Sequence, residues 1–243
     1  MILLTDVISQ SSNFCVIVLD ETTYYISAFA VDSNGTIIDV QSSQITTNFI
    51  FAKYQKVEYI QSQSTWEWSQ SSWQYINTWY KWWSTIKIEI KISWFTQTWS
   101  HDILWSDYAW KDRCFSIWAW RFAYYNSVIN PVNKFNNWNT HILQLSKDWF
   151  YNDWTIDTSS LPSNTFQAPS NIAIFALNRN WSVLEYSTYK LHYLKIRDNW
   201  TLVRNFVPCY RKSDNVIWLL DTVNKVFYTN QWSWSFTKWP DVN

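Results

Sequence analysis

The run TIKIEIKIS, residues 85–93, alternates without a break: Ile86, Ile88, Ile90 and Ile92 fall on one side of an extended chain and Lys87, Glu89 and Lys91 on the other. Successive side chains of a strand point to opposite faces, so this segment predicts a strand with one face buried and one in solvent, as in an antiparallel sheet. Working outward, CFSI (114–117), RFAYY (121–125), THILQLS (140–146), NIAIFA (171–176) and LHYLKIR (191–197) read as further strands. Turn formers separate them at short intervals, and no long helical periodicity intervenes, which predicts a β-sandwich. Near the N-terminus, the segment 22–33 and Ile37–Val40 read as a strand pair joined by an Asn34-Gly35 turn.

The segment KIRDNWTLVR, residues 195–204, has the form of a tight hairpin, announced by Asp198 and Asn199. A two-residue hairpin turn needs φ > 0, and the residue that supplies it is normally Gly. Trp200 stands in that place. Asn137-Trp138, Asp148-Trp149, Asp153-Trp154 and Asn180-Trp181 also read as turns once Trp is replaced by Gly, and Lys81-Trp82-Trp83-Ser84 reads as a Gly-Gly loop. The chain has 21 Trp and 1 Gly in 243 residues, where ordinary usage would bring roughly 17 Gly. All the Trp lie between Trp66 and Trp239, and none forms a helical i, i+3, i+4 stripe. The codon UGA is read as Trp in one variant genetic code and as Gly in another. Most of these Trp are therefore expected to stand for Gly in the living cell, with Gly35 specified by an ordinary glycine codon. The alternative is a Trp-rich glycan binder that arrays its indoles as a stacking platform. The expectation has a structural form: Trp138, Trp149, Trp154, Trp181 and Trp200 should sit in tight turns, several at φ > 0, with exposed indoles.

Charged residues make up 16% of the chain and the formal net charge is +0, which leaves no overall electrostatic footprint for nucleic acid or an anionic membrane. The abundance of Ser, Thr, Asn and Gln suits an extracellular β protein. No apolar run reaches the roughly 20 residues of a membrane span. MILLTDVIS lacks the basic flank and length of a secretory signal, so any export signal is expected upstream. Cys15, Cys114 and Cys209 are odd in number and widely spaced, which reads as buried thiols; a Cys114–Cys209 disulfide stays open.

Two resemblances organise the chain. The wording TYYISAFAVDSNGT, within residues 13–48, resembles the late strands of a fibronectin type III or other immunoglobulin-like module, of which about half fits in residues 1–50. In the segment 51–243, VEYIQS (57–62) and WQYINTWY (73–80) resemble, with Gly for Trp, the opening of LamG-like, concanavalin A-type domains. YLKIRDNWTLVRNFVPCYRKSDNVIWLLD (193–221) and KVFYTNQWSWSF (225–236) are similar to the closing strands of the same domains. As literal text the match fails at Trp73, Trp79, Trp200, Trp218, Trp232 and Trp234. The resemblance implies an all-β chain whose main domain is a two-sheet antiparallel jelly-roll sandwich. It further implies a non-catalytic binding or adhesion module within a larger bacterial-surface or phage structural protein, at the cell surface or on a virion. Its expected partners are a glycan or a surface protein, besides other domains of the same chain, with no nucleic acid and no membrane span. Some members of the wider superfamily are glucanases, so the alternatives are a carbohydrate-active enzyme domain or a purely structural spacer.

The residues themselves speak against catalysis. Retaining glycoside hydrolysis needs two carboxyl groups about 5–5.5 Å apart, and glucanases of this fold carry them in an E-x-D-x-x-E run or a close variant. No such run is present: Glu58, Glu67, Glu89 and Glu185 stand alone, and Glu89 reads as a solvent-face residue between Lys87 and Lys91. Asp102, Asp107, Glu67, Glu89 and Glu185 are expected not to converge in one cleft, and no G-x-S-x-G motif appears even with Gly for Trp. His101, Asp102 and Asp107, in the polar stretch SHDILWSDYAWKD, are the candidate ligand-binding residues, for a sugar or Ca²⁺, against the reading of a solvated connecting loop. No cofactor is expected, and no D-x-D-x-D spacing supports the metal. His141 and His192 read as structural histidines, Arg211-Lys212 as a solvated basic loop, and one ring of the Tyr124-Tyr125 doublet as core.

Overall fold

The computed structural model describes residues 23–31, 37–46, 54–63, 74–95, 102–107, 114–118, 121–125, 127–135, 137–158, 161, 164–179, 182–184, 186–231 and 235–241. Through residue 46, and at Asp102, Trp105, Asp107, Cys114, Phe115, Trp118, Arg121, Thr158 and Trp239, it describes the backbone alone. The chain divides into two compact units, 1–54 and 55–243. In the first, β1 (Thr23–Val31) pairs antiparallel with β2 (Ile37–Thr46), from Thr23 opposite Thr46 to Val31 opposite Ile37. The Asn34-Gly35 turn lies outside the described residues.

The second unit is all-β, with no helix among the described residues. Its larger sheet runs in the order β12 (Thr155–Thr158), β11 (Phe150–Asn152), β10 (Thr140–Leu145), β5 (Ile86–Ser93), β16 (Lys190–Asp198), β3 (Tyr54–Gln61), β17 (Thr201–Arg211), β18 (Ile217–Asp221), β19 (Val226–Tyr228), with β20 (Thr237–Asp241) on β3. The second sheet runs β15 (Ser182–Leu184), β14 (Leu177–Arg179), β6 (Asp102–Asp107), β7 (Cys114–Trp118), β8 (Arg121–Tyr125), β9 (Ser127–Ile129); β13 (Gln167–Ile174) bonds to both β6 and β4 (Ile76–Trp83). The predicted strands appear, except that the run 171–176 breaks after Ile174, with Phe175 at φ 69°. One pairing departs from a purely antiparallel plan. β13 runs antiparallel to β6, the chain reverses at Phe175-Ala176, and β14 therefore runs parallel to β6.

The alternation in β5 works as expected. Ile86, Ile88, Ile90 and Ile92 are buried and join Leu143 and Leu145 of β10 and Leu191, Leu194 and Ile196 of β16. Each such side chain contributes about 1.5–3 kcal/mol by leaving water. Ile103, Ile117, Phe122, Tyr124, Ile172 and Ile174 of the other sheet belong to the same core. Phe122 and Phe150 stack across it with ring centroids 4.4 Å apart, and Tyr189 donates its hydroxyl to the carbonyl of Ile103 at 2.8 Å. The two sheets thus share one core in a β-sandwich-like arrangement. Tyr124 is the buried ring of its doublet.

The turns divide the tryptophans. β16 and β17 meet at Asp198 opposite Thr201, leaving Asn199 (φ 45°) and Trp200 (φ 71°) as a two-residue turn. β11 and β12 meet at Asn152 opposite Thr155, leaving Asp153 (φ 50°) and Trp154 (φ 66°). Both indoles are exposed, as is that of Trp138. Trp138 and Trp149 do not adopt φ > 0, Trp149 is partly buried, and Trp181 lies outside the described residues. The Gly-Gly loop expected at Trp82-Trp83 does not form. β4 continues through both residues, the turn falls on Ser84-Thr85, and the Trp82 indole enters the core edge-on to Tyr124. A large apolar side chain gains more from burial there than from lying in a loop. The open Cys114–Cys209 disulfide is excluded, because Cys209 is a free buried thiol whose pKa burial pushes up to about 12.

Candidate functional site

On the outer face of the larger sheet, the register sets Glu89 of β5 opposite Gln144 of β10 on one side and Lys195 of β16 on the other. The Glu89 carboxylate accepts hydrogen bonds from Lys195 Nζ at 2.8 Å and Gln144 Nε2 at 3.0 Å, and Arg197 Nη1 stands 4.0 Å away. The Tyr193 hydroxyl also bonds to it, and the Tyr193 ring lies under the Lys195 ammonium at 4.5 Å. Glu89 was expected on a solvent face; it is on that face but only 8% exposed, because these neighbours cover it. Burial alone would raise its pKa. The hydrogen bond and charge of Lys195, with the bonds from Tyr193 and Gln144, more than offset that and hold it below the ordinary carboxylate value.

Cations continue in both directions from this centre. Lys87 Nζ lies 2.8 Å from the ring centroid of Trp200 and 5.7 Å from that of Trp149. Lys91 follows on β5 opposite Tyr193, and Lys190 lies over Tyr59 at 4.4 Å and Trp94 at 3.7 Å. Burial first, then the charges of Lys91 and Lys190, depress His192 to about 4, while its Nε2 stands 2.9 Å from Ser93 Oγ. Glu58, 3.9 Å from His192, and Asp148, paired with Lys147, mark the margins. A chain of zero net charge thus gathers Lys87, Lys91, Lys190, Lys195 and Arg197 around a single central carboxylate. Such a surface can hold anionic groups while Gln144 and Tyr193 offer fixed hydrogen-bonding groups beside them.

The candidates read from sequence fall elsewhere. His101 lies outside the described residues. The stretch read as a polar loop contains strand β6, with Asp102 and Asp107 at its two ends, about 16 Å apart at a rise of about 3.3 Å per residue. Among the described residues no group of three His, Cys, Asp or Glu could hold a metal ion. Glu67 and Glu185 also lie outside the described residues, so of the carboxylates weighed for catalysis only Glu58 and Glu89 have described side chains. His141 is held by Asp153 at Nδ1 (2.7 Å) and Asn137 at Nε2 (2.9 Å), while Asp153 Oδ1 accepts the Ile142 N–H at 2.9 Å. That cluster ties the Asp153-Trp154 turn to β10. Arg211 ends β17, paired with Asp214 and stacked 5.3 Å from the Trp218 centroid. Sequence reasoning missed the buried Asp221, which accepts from the backbone N–H groups of Asn205 (3.0 Å) and Val223 (3.1 Å) and from Asn224 Nδ2 (2.7 Å), closing the turn after β18.

The architecture defines a β-sandwich-like protein with a cationic, hydrogen-bonding sheet face. No family model, no curated protein and no solved structure matches the chain.

Proposed function

We propose that the second unit is a non-catalytic binding module of the concanavalin A-like, LamG-like kind, a jelly roll that takes an anionic glycan on the outer face of β5 and β16. The observation that carries this is the segregation of Lys87, Lys91, Lys190, Lys195 and Arg197 onto one sheet face of a chain of zero net charge. Carboxylate or sulfate groups of a polysaccharide match that charge, and the Gln144 amide and Tyr193 hydroxyl match sugar hydroxyls. The sequence resemblance adds the setting: an extracellular surface or virion protein with a partial immunoglobulin-like segment ahead of the module.

The Glu89 environment favours binding over hydrolysis. A glycosidase acid must keep its proton near neutral pH, which requires a raised pKa. Lys195 has the opposite effect on Glu89. Affinity electrophoresis against polyuronate, sulfated and neutral polysaccharides tests the reading, with released reducing ends assayed in parallel. Retardation by the acidic polymers, weakened by salt and by Lys195→Ala, without release of reducing ends, is the expected result. Release of reducing ends would establish the enzyme instead, and indifference to every polymer would leave the structural spacer.

A further inference from the structure

Four described tryptophans occupy backbone positions that an indole-bearing residue has no reason to choose: Trp79 (φ 53°), Trp94 (φ 60°), Trp154 (φ 66°) and Trp200 (φ 71°). In the left-handed region a Cβ crowds the following carbonyl, so non-glycine residues are uncommon there, Asn and Asp less so than others. Tyr125, Phe175 and Lys225 also adopt it in this chain, and the turn sequences rather than the sign of φ carry the argument. The two hairpin turns are specific. Asn199-Trp200 and Asp153-Trp154 each have both central residues at φ > 0, which is the type I′ turn, and its preferred sequences are Asn-Gly and Asp-Gly. Trp stands in both at the glycine position. Trp79 lies in a bulge of β4. Between the pairs Lys81–Asn171 and Asn77–Ala173, β4 spends four steps against two in β13, and the Trp79 N–H folds back onto Asn77 Oδ1 at 2.9 Å. A left-handed residue at a β-bulge is again a glycine position. Trp94 sits just past the end of β5.

The side chains compensate only in part: the Trp200 ring lies on Lys87 and the Trp94 ring on Lys190, exposed contacts that are weaker than the clash. The four indoles are 61%, 44%, 62% and 73% exposed in chain order, although Trp is a highly buried residue on average. They do not build a stacking platform either: Trp154 and Trp200 cap different hairpins, Trp79 belongs to the other sheet, and Trp94 meets Trp138 edge-on. The geometry points to glycine at positions 79, 94, 154 and 200 in the native protein, encoded by UGA in a cell that reads this codon as Gly. Trp82 and Trp83 lack a positive φ, and the backbone assigns nothing there. The assignment stands independently of the proposed function but has a consequence for it. Without the indoles at 200 and 94, the ammonium groups of Lys87 and Lys190 each lose the nearer of their two aromatic neighbours and keep Trp149 and Tyr59.

Two measurements decide the matter. The gene should carry UGA at codons 79, 94, 154 and 200, and tryptic peptides of the protein isolated from the cells that make it should have the masses of Gly at those positions. UGG at these codons, or peptides with Trp masses, overturns the assignment. Recombinant chains give a second readout. Trp154→Gly and Trp200→Gly together should raise the melting temperature by several degrees, since relief at each left-handed position corresponds to about 2–8 °C for a domain of this size. An unchanged or lower melting temperature counts against it. Polysaccharide retardation of the same variants reads only the binding proposal, so the two can fail separately.

Discussion

Trp82 and Trp200 are the same residue with opposite fates. Trp82 lies within β4, buried between the sheets against Tyr124. Trp200 stands at the tip of the β16–β17 hairpin, 73% exposed, with a left-handed backbone and its ring pressed onto Lys87. In the strand the side chain decides, because burial rewards its size; at the tip the backbone decides, because a two-residue hairpin turn requires φ > 0. A turn tip has no core behind it, so the indole there gains only an exposed contact with Lys87, worth about 0.5–1 kcal/mol against a Cβ clash of about 1–2 kcal/mol.

The largest effect should come from the buried member. Trp82→Ala in the chain as written should cost about 3–5 kcal/mol in denaturant unfolding, through lost burial and the cavity left beside Tyr124; a loss below 1 kcal/mol would break the contrast. Next comes Glu89→Gln on the outer face, expected to cost about 1.5–3 kcal/mol at neutral pH by removing the charged partner of Lys195. Because the folded pKa of Glu89 lies below its ordinary value of 4.5, this advantage is fully present above 4.5 and is lost as pH falls through the lowered value. Unfolding curves of the two proteins should therefore converge in acid.

Trp200→Gly reverses the sign and should stabilise by about 1 kcal/mol, the relieved Cβ clash less the lost contact with Lys87. Trp83→Gly sharpens the point: Trp83 is also exposed, but it lies in a strand without a positive φ, so glycine there should destabilise by about 0.5–1 kcal/mol. Equal responses at 83 and 200 would show that exposure, not backbone conformation, governs both. The smallest effect concerns Lys190, which Trp94 covers. Lys190→Gln should shift the NMR titration of His192 upward from about 4, since the Lys190 charge helps to depress it. His192 folds as the neutral ring, so it stabilises the protein above 6.5. That contribution is eroded as pH falls from 6.5 towards 4, where the unfolded chain takes up a proton and the folded one does not.

The strand inventory and the β5 core face were legible because alternation is a local property of consecutive residues. The glycine-like turns at Trp154 and Trp200 were legible for the same reason, since Asp or Asn followed by a left-handed residue is a signal two residues long. Trp79 and Trp94 were not among the predicted turn positions, because a bulge and a strand end depend on how β4 and β5 meet their neighbours. The site was hidden for a related reason. Glu89 reads as a solvent-face acid, and its covering partners Gln144 and Lys195 lie 55 and 106 residues away along the chain. Periodicity assigned each side chain to a face. Only strand order and register, set by the packing of the whole core, decided which side chains on that face would meet, and thereby turned an exposed carboxylate into the covered centre of a cationic surface.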